Sequence, residues 1–166
     1  MSHIGERLNH VRITKRTNIA MRVLMHCAAN PGRLVTKHET ASCCHVSENH
    51  LAQIVNQLSQ LDFLDTRRGR NGGFTLSRDP DDITVGEVFR HIEGESSPMV
   101  CLAGQDENCP LFDACWLRTA LRDATEAFFS HLDTIKLSQL IDGNAPLQEM
   151  LRPLEHLSER RQACPV

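Results

Sequence analysis

The run FLDTRRGRNGGFTLSR (Phe63–Arg78) constrains the fold more than any other stretch of the chain. Short apolar segments flank a glycine-rich tip, and Asn71-Gly72 offers residues that tolerate the positive φ of a tight hairpin turn. Arg67, Arg68 and Arg70 crowd that tip. Just upstream, Leu51, Ile54, Val55, Leu58 and Leu61 fall on one face of a helix for which Ser47 is the N-cap. Before it, TKHE (Thr36–Glu39) has the form of a capping box and starts a short helix. A first helix runs from Thr17, with Ile19, Val23, Leu24, Cys27 and Ala28 at helical spacing, until the Asn30-Pro31-Gly32 breaker. Three short helices joined by tight turns and followed by a basic hairpin predict a winged helix-turn-helix.

The acidic DPDD (Asp79–Asp82) closes this unit, and TVGE (Thr84–Glu87) caps a further helix with Val85, Val88, Phe89 and Ile92 on one side and Gly94 at its end. Trp116, Ala120, Leu121, Ala124, Phe128, Leu132 and Ile135 trace a long amphipathic helix. Its stripe exceeds what one small domain needs, so it reads as a dimerisation helix, against the alternative of packing within one chain. Leu147, Met150, Leu151, Leu154 and Leu157 mark a last amphipathic segment that would extend the same interface. The expected fold class is mainly α with a small β-wing. Its parts are a flexible N terminus (1–12), a winged helix-turn-helix (13–80), a linking helix and cysteine loop (81–116), a dimerisation helix region (117–143) and a C-terminal helical extension (144–166).

Charge divides the same way. Residues 1–78 hold 11 Lys and Arg against 5 Asp and Glu, whereas residues 79–166 hold 7 against 16. A basic half beside an acidic one points to a polyanion partner for the first, with chance patchiness as the plainer reading. The third helix turns Glu48, Asn49, His50, Gln53, Asn56 and Gln57 away from its apolar stripe. Asn and Gln suit paired contacts to adenine, and Glu48 suits acceptance from cytosine N4. A merely solvated face is the alternative, and the arginine tip tells against it. Arg67, Arg68, Arg70 and Asn71 fit minor-groove and phosphate contacts, Lys15 and Arg16 fit phosphates, and Ser47 opens the reading helix. Double-stranded DNA is the predicted partner.

No stretch approaches the ~20 apolar residues of a membrane span, and IAMRVLMHCAA is broken by Arg22 without a signal-peptide layout. The expectation is a cytoplasmic protein with no membrane partner, in which thiols stay reduced. Cys101, Cys109 and Cys115 follow C-x7-C-x5-C. A disulfide takes two thiols and a closed zinc site four ligands. Three soft thiolates suit an iron–sulfur cluster with one iron left to a weaker ligand, open to a small reactive molecule. Pro110, Phe112 and Trp116 offer an apolar cover. A zinc staple would show two close cysteine pairs, and a catalytic thiol would show a partnering base; the chain has neither signature and is not expected to be an enzyme. Cys27 and one of Cys43 and Cys44 read as core, Cys164 as part of a mobile tail, and most histidines as surface residues.

These parts in this order, with ITKRTNIAMRVLM, SENHLAQIVNQLSQ, RRGRNGGFTL and ITVGEVFRHIEG, resemble the iron–sulfur winged-helix regulators that include NsrR, IscR and RirA. The resemblance spans roughly residues 13–144 and is greatest to the NsrR type, the nitric-oxide-sensing repressors. It implies a homodimer with one cluster per subunit on Cys101, Cys109 and Cys115, [4Fe–4S] with [2Fe–2S] as the alternative. Operators would be bound while the cluster is intact and released when nitric oxide destroys or nitrosylates it. Two departures stand out. The seven-residue gap between the first cysteines is like that of RirA, an iron-responsive repressor. Asn18 occupies the position where one NsrR type has an aspartate ligand, so it would be a weak, neutral fourth ligand, with Asp113, a histidine or solvent as alternatives. The competing expectations are an iron- or cluster-status-responsive regulator and, from another class, a cluster-containing redox protein or a zinc-stapled binding module.

Overall fold

In the computed structural model, residues 14–93 and 115–151 are described. The described residues open with three helices, α1 (Lys15–Ala28), α2 (Lys37–Cys44) and α3 (Glu48–Gln60). Each begins where a hydroxyl satisfies a backbone N–H that the helix leaves unpaired. Thr14 Oγ1 accepts from Thr17 N–H at 3.3 Å, and Ser47 Oγ accepts from His50 N–H at 3.4 Å. Thr36 and Glu39 form the reciprocal box, each side chain accepting from the other's backbone N–H at 3.3 Å. α2 ends on His45, whose left-handed φ of 52° turns the chain sharply into α3. Ile19, Val23 and Leu24 of α1 meet Leu51, Ile54, Val55 and Leu58 of α3 in one buried core, completed by Val35, Phe63 and Phe74.

Strands β1 (Leu64–Arg67) and β2 (Gly73–Leu76) pair antiparallel, with Leu64 opposite Leu76 and Arg67 opposite Gly73. Val35 and Phe74 exchange two backbone hydrogen bonds of 2.9 Å, which seat the wing against the head. The turn departs from the expected Asn71-Gly72 geometry: the positive φ, 115°, falls at Gly69. The register leaves Arg68 to Gly72 between the strands, longer than a two-residue hairpin, so the reversal is made earlier. Gly72 is needed for close approach instead, since a Cβ there would lie 2.4 Å from the Arg67 carbonyl oxygen.

Beyond a short 3-10 turn, Pro80–Asp82, helix α4 (Val85–Glu93) is capped by Thr84 Oγ1, which accepts from Glu87 N–H at 3.1 Å. α5 (Trp116–Asp133) packs against it. Val85 N–H donates to Ile135 O and Leu137 N–H to Ile83 O, both at 2.9 Å, joining the start of α4 to the chain just past α5. Asp133 accepts from both terminal guanidinium nitrogens of Arg90, at 2.5 and 2.7 Å, while a Cβ on Gly86 would collide with Asp133 Oδ1. No residue of α5 is fully buried, and Trp116 and Leu117 are 87% and 66% exposed.

The tail was expected to extend a dimer stripe. Of the tail, residues 144–151 are described: they form a short helix, α6 (Ala145–Met150), after which Leu151 is buried within its own chain. Asn30 Nδ2 donates to the carbonyls of His26 and Leu151, at 2.8 and 3.0 Å, so a polar anchor at the end of α1 draws this residue inward. Met150 stays exposed, and Leu154 and Leu157 lie outside the described residues. Among the described residues, no helix is long and apolar enough to cross a membrane.

Candidate nucleic-acid interface and metal centre

The first turns of α3 present Ser47, Glu48, Asn49, His50 and Gln53, all exposed, while Leu51, Ile54 and Leu58 lock the opposite face into the core. The cap on Ser47 fixes where this turn begins and so how these side chains are spaced. Lys15 and Arg16 stand exposed in the first turn of α1. An open groove of about 520 Å³ brings Lys15, Asn18 and Arg22 of α1 together with His45, Ser47 and His50. Of these, sequence reasoning missed Arg22, whose Nη1 donates to the Cys44 carbonyl at 3.2 Å, and His45. Arg67, Arg68, Arg70 and Asn71 are exposed at the wing. Arg33, Arg78, Arg90 and Arg122 each pair with a carboxylate; among the described residues the three wing arginines have no such ion pair.

Cys115 caps α5: its half-buried Sγ accepts from Arg118 N–H at 3.4 Å. Cys101, Cys109 and the alternative ligand Asp113 lie outside the described residues, as do the N terminus to residue 13, Gly94, Pro110, Phe112 and Cys164. Among the described residues, no three His, Cys, Asp or Glu side chains are grouped to hold a metal ion. Cys27 and Cys44 are core thiols, as expected. Burial pushes Cys27 up to about 12 and Cys44 up to about 11, as for thiols packed in a core. His26 departs from the surface reading of the histidines. It is buried, its Nδ1 lies 2.9 Å from Thr40 Oγ1, and desolvation lowers its pKa.

Two ends of the chain around the cysteine segment are anchored. Glu93, the last residue of α4, accepts from Thr14 N–H at 3.1 Å, from Thr14 Oγ1 at 2.8 Å and from the Thr17 hydroxyl. α1 has no acidic residue in its first turn, so α4 supplies the negative charge its positive end favours. Asn18 follows one turn later, its N–H bonded to the Thr14 carbonyl. Glu87 ties α4 to Arg78 beyond the wing at 2.7 Å, and Arg90 ties it to α5. α4 thereby contacts α1, α5 and Arg78 just past the wing.

Residues 13–143 match the family model described as Rrf2, an iron-dependent transcriptional regulator. The chain belongs to the Rrf2 family. This Rrf2 chain is 36% identical over 143 residues to the HTH-type transcriptional regulator NsrR of Geobacillus kaustophilus (strain HTA426), covering 86% of this chain and 97% of that protein. It is 32% identical over 146 residues to NsrR of Bacillus subtilis (strain 168), covering 87% and 100%. It is also 38% identical over 149 residues to protein aau3 of Rhizobium meliloti (strain 1021), covering 86% and 97%. Among solved structures, CymR (YrzC), the global cysteine regulator of B. subtilis, superposes with a TM-score of 0.60 at 27% identity, covering 80% of this chain and 97% of that one. IscR of T. potens shares the fold, with a TM-score of 0.67 at 22% identity and coverage of 83% and 91%. The Rrf2 chain is therefore a DNA-binding transcriptional regulator, of a family that is not catalytic.

Proposed function

We propose that this Rrf2 regulator is a homodimeric repressor whose operator binding is set by an iron–sulfur cluster, most simply [4Fe–4S], with nitric oxide as its signal. The observation that carries the reading is the anchoring of the cysteine segment. The stretch bearing Cys101 and Cys109 starts at the residue that clamps the DNA-reading domain, Glu93, and ends at Cys115 on the long helix. The three thiolates are the donors for the cluster, and Asn18 is the weak candidate for its remaining iron. When bound, the cluster supplies iron that nitric oxide can attack.

The protein's own residues then divide the work. Lys15, Arg16, Arg67, Arg68, Arg70 and Asn71 bind the DNA backbone and minor groove. Ser47, Glu48, Asn49, His50 and Gln53 address base edges in the major groove. The uncovered apolar side of α5, with Trp116 and Leu117, supports pairing with a second copy. Two reading helices must then meet half-sites roughly one helical turn, ~34 Å, apart. Glu93 and α4 link that spacing to the state of the cysteine segment.

A second reading keeps the class and changes the signal to iron or cluster supply. It is favoured by the seven-residue cysteine gap and by the iron dependence in the family's description. The test uses anaerobically purified full-length protein: iron and sulfide content, visible absorbance and operator affinity, each before and after nitric oxide or an iron chelator. Loss of absorbance together with operator release by nitric oxide supports the first signal; release by chelator alone supports the second. Colourless, iron-free protein after reconstitution overturns the cluster. Cys109→Ala is expected to abolish both iron incorporation and selective operator binding.

A further inference from the structure

The reading helix carries a charge that a duplex repels. Glu48 stands exposed in the first turn of α3, and a carboxylate docked between phosphates costs affinity unless something offsets it. Two features do so. The first turn is the positive end of the helix dipole. In addition, His38, from the first turn of α2, brings its Nδ1 to 2.9 Å from Glu48 Oε1. The two side chains are 89% and 51% exposed, so their pairing contributes little to stability and the fold does not require it. Both line one open groove between α2 and α3 with Ala41, Ser42, His45 and Val46, where Glu48 is the sole carboxylate among the lining residues.

We propose that His38 is a positioning residue for DNA reading. It holds Glu48 Oε1, so that the other carboxylate oxygen is left to accept from the N4 amino group of a cytosine at one position of each half-site. This rests on the reading of the chain as an operator-binding protein. The chemistry follows from the donor inventory. An imidazole with its hydrogen on Nδ1 donates to one oxygen, and an ionised carboxylate keeps acceptor capacity on the other. Cytosine N4 is the major-groove donor that suits a carboxylate, whereas adenine sets its N6 amino group beside the acceptor N7. A freely rotating Glu48 would offer either oxygen in many orientations; the imidazole selects among them without adding a base contact of its own.

Two measurements on the full-length protein test this. In the DNA-free protein, Glu48→Gln is expected to move the NMR chemical shift of His38 Nδ1; an unchanged shift overturns the pairing. Selection from randomised half-sites is then compared for the wild type, Glu48→Ala, His38→Ala and His38→Gln. Glu48→Ala should cut a cytosine preference at one symmetric position by roughly tenfold. His38→Ala should lose most of that preference at the same position, with affinity for unrelated DNA unchanged, and His38→Gln, which retains a side-chain N–H donor, should recover it. The proposal falls if His38→Ala keeps the preference, or if His38→Gln behaves as His38→Ala. Should the wild type show no base preference anywhere, the operator reading itself fails and takes this proposal with it, an outcome distinct from a change confined to the variants.

Discussion

Helices α3 and α5 carry similar apolar stripes and bury them to different depths. In α3, Leu51, Ile54, Val55 and Leu58 are all buried by the same chain. In α5, which is longer, no residue is fully buried, and its first turn holds the exposed Trp116 and Leu117. Apolar periodicity therefore says that a face will be covered and leaves open what covers it. A short helix wedged among neighbours finds its cover at home. The longer one packs Phe128, Phe129 and Leu132 only partly against the core and leaves Trp116 and Leu117 open.

The largest expected effect breaks the comparison at α3. Leu58→Ala removes a fully buried side chain and should cost about 2–5 kcal/mol of stability, read as a fall in the denaturant midpoint and a loss of DNA binding. Trp116→Ala should leave that midpoint nearly unchanged while weakening dimerisation by about thirtyfold, measured by sedimentation. If Trp116→Ala instead unfolds the chain, the contrast between the helices fails. Arg70→Ala, at the tip of the wing, should touch neither folding nor dimerisation. It should weaken DNA binding and lower the log–log salt slope by about one unit.

The smallest effect is one of pH and belongs to the buried side of the comparison. Burial lowers the pKa of His26, so the unfolded chain takes up this proton more readily than the folded one. The stability His26 contributes as a neutral ring is present above its ordinary value of about 6.5 and declines as pH falls from there toward the depressed folded value. A denaturation series from pH 8 to pH 5 should show a slope that His26→Gln flattens.

What the sequence disclosed follows the range of each interaction. Caps are local: Thr36 with Glu39, Ser47 and Thr84 were legible from spacings of three residues, and all of them form. The wing was legible from its glycines, but not which of them takes the positive φ, because that depends on a strand register set by Val35 as well. Contacts across the chain left no local trace. Glu93 on Thr14 and Thr17 spans 79 and 76 residues, and Asn30 on Leu151 spans 121. The burial of His26 has no local signature, because its partner Thr40 comes from the next helix. At the candidate interface, the exposed residues of α3 and the wing lie where periodicity put them, whereas Arg22, His38 and His45 join them only through folding. For the cysteines, chemistry in the sequence goes further than geometry, since Cys115 alone of the three is described.

Gly86 leaves no side-chain layer between the backbone of α4 and Asp133 on α5, and Arg90 grips the same carboxylate from the neighbouring turn. Tightly packed protein interiors yield very little under load. A displacement of the long helix at this close approach would press directly on the short one, and through it on the residue fastened to the front of α1.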